Sequence, residues 1–93
     1  MRTGENKMHK NIVKELKCVG YDGGNRTHVN VKFIGEDPRD VYTWFTTSDK
    51  YMEWQGSGFV NYKFDLVDSF DMYSYELKRD ITFHSIKNVS LVK

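Results

Sequence analysis

Apolar and polar residues alternate along most of this chain, which predicts a protein built from β-strands. In the clearest stretch, Val29, Val31 and Phe33 share one face of a strand while polar residues occupy the other. The first strand has an ambiguous pattern, because Ile12, Leu16 and neighbouring apolar residues also fit near-helical spacing. The five predicted strands cover 14–21, 27–34, 41–47, 59–67 and the span 81–92.

Turn-forming residues separate these strands and indicate how they connect. Gly23, Gly24 and Asn25 accept positive φ and predict a tight turn, and a second loop surrounds Pro38. Residues 48–54 predict one short helical turn after the third strand. Residues 68–80 are mixed and polar, typical of a long hairpin loop or an extension of the strands. Five strands with short connections indicate an all-β fold, and we expect a five-stranded Greek-key OB-like barrel.

The third strand is rich in aromatic residues, in a chain of 93 residues that is 15% aromatic. Val41, Thr43 and Phe45 face one way, while Tyr42 and Trp44 face the other. We interpret Tyr42 and Trp44 as a surface on which unpaired bases stack. The alternative is that Trp44 fills one end of the core.

Charge limits how such a surface can bind nucleic acid. The chain has 14 basic and 13 acidic residues, a net charge of +1. A protein that binds mainly through phosphate contacts has a clear positive excess, so a local basic patch is required here. His28, Lys32 and Lys63 lie on the polar faces of their predicted strands and are our candidates. An ordinary solvated face is the alternative.

The sequence also predicts the cellular compartment and the domain organisation of the protein. Cys18 is the single cysteine, which excludes an internal disulfide and suits a reducing compartment. No apolar run approaches the roughly 18 residues that a membrane span requires, and residues 1–7 lack the apolar core of a signal peptide. We therefore predict a cytoplasmic protein without membrane contact. It would have a flexible N-terminal arm over 1–11 and a single β-barrel domain over 12–93.

No motif in the chain predicts catalysis. His9, His28, His84 and Cys18 lack metal-ligand spacing. The Asp…Glu-x-Lys layout that ends at Lys78 is short and common. We expect a non-catalytic protein that needs neither a metal nor another cofactor.

The third strand also carries a family resemblance. The run Tyr42-Thr43-Trp44-Phe45-Thr46-Thr47 resembles the aromatic-Thr-Trp-x-Thr strand of small OB-fold domains found in bacteriophage genomes, including phage single-strand-binding-like and primase-helicase accessory domains. The segment 66–73 is similar in layout, with Tyr73 at the family's tyrosine position. The resemblance implies an OB fold and a phage or mobile-element origin, hence the host cytoplasm.

Three functions follow as hypotheses. The first is binding of single-stranded DNA or RNA by stacking and phosphate contacts. The second is a phage or mobile-element accessory protein that binds and modulates a host protein, for example a DNA-handling or defence nuclease complex. The third is self-assembly into a homo-oligomer through an aromatic face or an edge strand. The candidate nucleic-acid contacts are Tyr42, Trp44, Tyr73 and Tyr75 for stacking, and His28, Lys32 and Lys63 for phosphate.

Overall fold

A computed structural model describes residues 9–92, which form five strands and one short helix. The elements are β1 (His9–Gly24), β2 (His28–Ile34), β3 (Asp40–Thr47), α1 (Ser48–Trp54), β4 (Phe59–Ser74) and β5 (Arg79–Leu91). The mostly-β fold class, the five strands and the helix after the third strand are confirmed.

The strands close a ring-like sheet in the order β1-β2-β3-β5-β4, with β4 pairing back onto β1. Neighbouring strands are antiparallel except β3 and β5, which run parallel with Tyr42 opposite His84. The parallel pair arises because the chain leaves β3, crosses through α1 and β4, and returns as β5. This is the connectivity of a five-stranded Greek-key, OB-like sheet.

The first strand is longer than predicted. It begins at His9, so residues 9–11 of the predicted N-terminal arm are part of β1, while residues 1–8 lie outside the described residues. The strand is long because its first half pairs with β4 and its second half with β2, and Lys17 pairs on both sides. A bulge after Cys18 accompanies the positive φ of Gly20 (154°), which suits glycine.

Alternate residues of all five strands point into one apolar core. Its largest fully buried side chains are Tyr62, Phe33, Phe64, Leu16 and Val31. Burying each aliphatic or phenylalanine side chain stabilises the fold by about 1.5–3 kcal/mol. Helix α1 has seven residues and is too short to be stable alone. It is held by Trp54, which is 4% exposed and stacks on Trp44 with ring centroids 5.4 Å apart.

The polar region after residue 67 is a strand extension and not a loop. Residues 68–74 of β4 pair with the beginning of β5, and the turn 75–78 joins them. We call residues 67–83 the hairpin extension. On one of its faces, Ile81 is buried, and so is Val41 on the outer side of β3. The hairpin extension therefore folds against the outside of the ring.

Candidate functional site

The face of β3 that carries Tyr42 and Trp44 points into the core. Phe33 lies directly opposite Tyr42, and Val31 opposite Trp44. Because paired residues share a face, the buried side of β2 determines which side of β3 is buried. Tyr42 is 3% exposed, and Trp44 is partly buried against Trp54. Tyr42 is thus a core residue, and its proposed role in a surface stacking platform is corrected here.

Tyr42 is held by rings on both sides. It stacks on His84 with centroids 4.4 Å apart and meets Phe64 edge-on at 5.6 Å. Burial, reinforced by the negative charge of Asp40, raises the pKa of Tyr42 to about 12. The phenol stays protonated at physiological pH and acts as a packing group.

The opposite face of β3 supplies the aromatic residue that the sequence interpretation missed. Phe45 is 56% exposed and stacks on His28, with ring centroids 5.5 Å apart and planes inclined by 21°. His28 is one of the predicted contact residues, and Thr27 holds its ring through a 3.0 Å contact between Oγ1 and Nδ1. Phe45 points outward because in the observed register it lies opposite Asn30, and the sequence of either strand alone does not give that register.

The hairpin extension and the outer face of the ring enclose an apolar groove. Its volume is about 450 Å³. The apolar lining comes from Val19, Ile34, Val41, Met72, Leu77, Ile81 and Phe83. An apolar groove with a few polar groups at its edge is a common form of ligand site.

Lys32 is the cationic residue that lines this groove. On β2 it lies between the His28–Phe45 pair and Ile34, opposite Thr43. Its Nζ is 3.4 Å from Oε1 of Glu76, and the two side chains are 27% and 77% exposed. Asp22 and Glu76 also line the groove, so its lining has one ammonium group and two carboxylates.

Tyr73 and Tyr75 are exposed near the tip of the hairpin extension, 46% and 86% respectively, and meet edge-on at 5.1 Å. Tyr73 lies on the opposite side from the groove. It lines a cleft of about 490 Å³ that contains four aspartates and Arg39. The aspartates are Asp37, Asp40, Asp71 and Asp80. Such a concentration of negative charge repels phosphate, so the Tyr73 side is a poor surface for nucleic acid.

Lys63 is far from the other candidates. It pairs with Val13 and Ser90 in the β1–β4–β5 part of the ring. Its β1 partner Val13 lies seven positions before Gly20, the β1 partner of Lys32, at most roughly 23 Å at a rise of about 3.3 Å per residue. The structure thus brings His28 and Lys32 onto one face and leaves Lys63 outside that site.

Three polar side chains form a hydrogen-bonded group that no sequence pattern predicted. His84 Nε2 is 3.0 Å from Asp40 Oδ1, and Nδ1 is 2.6 Å from Ser69 Oγ. Because a carboxylate only accepts, Nε2 carries a proton, and in the neutral ring Nδ1 accepts from the serine hydroxyl. Serine hydrolases use the same three residue types.

The surroundings of Ser69 do not favour nucleophilic catalysis. Its backbone N–H donates to the carboxylate of Asp68 at 2.9 Å and is not free to stabilise an oxyanion. The carboxylates of Asp68 and Asp40 would also oppose negative charge developing on a substrate. The hydrogen bonds among Ser69, His84 and Asp40 tie the hairpin extension to β3, and we assign them a structural role.

Further properties of residues 9–92 complete the description. None of their helices is long and apolar enough to cross a membrane. They contain no group of three or more His, Cys, Asp or Glu side chains arranged to hold a metal ion. Comparison with known proteins found no matching family model, no matching curated protein and no matching solved structure.

Proposed function

We propose that this protein binds single-stranded nucleic acid along the outer face of β2 and β3. The observation that carries the proposal is the exposed His28–Phe45 stack beside Lys32. In OB folds this pair of strands and the adjoining hairpins form the usual surface for oligonucleotides. The resemblance of residues 42–47 to small phage OB domains supports the same ligand class.

In this proposal the bases stack on Phe45, and Lys32 meets a phosphate. Lys32 lies two positions from Asn30, the residue opposite Phe45, roughly 7 Å along the strand. Stacking accepts every base, so we expect little sequence preference. With a net charge of +1, binding should be modest and should weaken as salt increases. Because the aspartate-rich cleft repels phosphate, we place the nucleic-acid strand on the groove side of the hairpin extension.

Fluorescence anisotropy of a labelled single strand at low salt tests this function. The strand should have about 20 nucleotides, longer than the roughly 4–16 that one OB fold covers. The Phe45→Ala variant should bind about 5- to 150-fold more weakly, because base stacking contributes about 1–3 kcal/mol per base. Phe59→Ala is the matched control, since Phe59 is 44% exposed but lies on β4. Intrinsic tryptophan emission should change little, because Trp44 and Trp54 pack inward.

Two results of the affinity measurements would contradict the proposal. One is wild-type protein that does not bind at high micromolar concentration. The other is equal affinity of Phe45→Ala and Phe59→Ala, which would remove Phe45 from the binding surface. Strong tryptophan quenching would instead place the bases on the Trp44 side.

A second candidate function is binding of a partner protein, and the apolar surface of the hairpin extension favours it. Of the thirteen exposed large apolar residues in the described chain, six lie between residues 67 and 77. They are Val67, Phe70, Met72, Tyr73, Tyr75 and Leu77. This function would be supported over the first if the wild type bound a protein partner stoichiometrically and did not bind DNA. The Leu77→Lys variant should then lose the partner, and the Phe45→Ala variant should retain it.

A further inference from the structure

The turn of the hairpin extension places a carboxylate on the lysine that we assign to phosphate. Glu76 and Lys32 are 44 positions apart in the chain, and their charged atoms are 3.4 Å apart across the edge of the groove. We infer that Glu76 is an internal competitor that occupies Lys32 in the free protein and must be displaced by a ligand phosphate. This inference rests on the proposed function.

The two partners differ in how easily they move. Lys32 lies in the middle of β2, and its side chain is 27% exposed. Glu76 lies in the turn 75–78, and its side chain is 77% exposed. Moving the glutamate into water therefore disturbs little packing, while the lysine keeps its place on the strand. Displacement needs a side-chain rotation and leaves the ring intact.

Local charge makes the competition effective. With Asp22 also lining the groove, the free site has an excess of negative charge. An isolated weak anion gains little from replacing Glu76 at Lys32. A nucleic-acid strand gains more, because its bases stack on Phe45 at the same time. Glu76 thus lowers the affinity of any phosphate ligand for Lys32, and a ligand that also stacks on Phe45 offsets that loss.

The expected size of the effect follows from the exposure of the pair. Surface ion pairs are weak, so removing Glu76 should tighten binding by about 1.5- to 5-fold. In the wild type, Lys32 exchanges one anion for another, and the released glutamate attracts a cation. The dependence of log affinity on log salt should therefore be steeper in Glu76→Gln, by up to about 0.7.

A charge-matched set of variants tests the inference with the labelled single strand. Glu36→Gln makes the same charge change at an exposed position in the β2–β3 loop, where Glu36 forms no salt bridge with the described residues. Glu76→Gln should bind more tightly than Glu36→Gln and show the steeper salt dependence. In a Lys32→Gln background, the two substitutions should have equal effects, because Glu76 acts through Lys32.

The outcomes separate this inference from the proposed function. If the wild type binds and Glu76→Gln matches Glu36→Gln in affinity and salt dependence, the role of Glu76 is refuted and nucleic-acid binding stands. If Glu76→Gln remains tighter by the same factor in the Lys32→Gln background, the effect does not pass through Lys32 and the inference is again wrong. If neither wild type nor Glu76→Gln binds the strand, both proposals fail.

Discussion

Replacing Tyr42 with alanine should reduce stability before it affects ligand binding. Tyr42 is 3% exposed and packs between His84 and Phe64. Truncating a buried aromatic to alanine costs about 3–5 kcal/mol. At about 0.05–0.15 kcal/mol per residue, a chain of 93 residues has roughly 5–14 kcal/mol of total stability. The substitution should thus remove between about a fifth and all of it.

Equilibrium unfolding in urea measures this loss. With a slope of about 1.5 kcal/mol per molar urea, the midpoint should fall by about 2–3 M. Tyr42→Phe keeps the ring and should stay near the wild type. Tyr75→Ala removes the same atoms at a position that is 86% exposed, and its change should remain within about 0.5 kcal/mol. The assignment of Tyr42 to the core is refuted if Tyr42→Ala is as stable as Tyr75→Ala and loses affinity for the single strand.

Two further predictions concern the ring itself. The Asn88 side-chain amide and the Asn11 backbone N–H donate to Asp65 and lower its pKa, so the charged form stabilises the fold above the unfolded pKa of about 3.9. The stability advantage of wild type over Asp65→Asn should hold at neutral pH and shrink as pH falls through the lowered pKa; urea midpoints that differ equally at pH 7 and pH 3 would contradict this. Cys18 is 4% exposed, and burial raises the pKa of its thiol. Ellman's reagent should therefore label it much more slowly in the native protein than in denaturing urea. Equal labelling rates would show that Cys18 is accessible in the folded state.

The fold was predictable because its determinants are local. Alternation of apolar and polar residues marked strands β2, β3 and the first part of β4, and glycine and asparagine marked the turn before β2. The early residues of β1 were missed because 9–13 lack clear alternation, and their pairing with β4 makes them a strand. The sequence of 68–74 fits both a loop and a strand extension for the same reason, since only pairing with β5 makes these residues a strand.

The candidate site was less predictable. His28 and Lys32 were identified from the polar face of a clear strand, and the structure places them on one surface. Phe45 was missed because both faces of 41–47 carry aromatic residues, and the sequence of that strand alone does not tell which face is buried. Lys63 met the same polar-face criterion as Lys32 but lies on another part of the ring, because a pattern within one strand carries no information about which strands are neighbours.

By itself, the sequence determined the extended segments of β2, β3 and the first part of β4 and the turn before β2, since side-chain alternation and glycine conformations are properties of neighbouring residues. The tertiary structure decided which side of β3 is buried, because a shift of one residue in its pairing with β2 would exchange the two faces. It also folded the hairpin extension over the ring, which brings Glu76 to Lys32, and it paired β4 with β5, which places Ser69 opposite His84. Both contacts join residues that are distant in the sequence, so the tertiary arrangement and not a local pattern sets their distances.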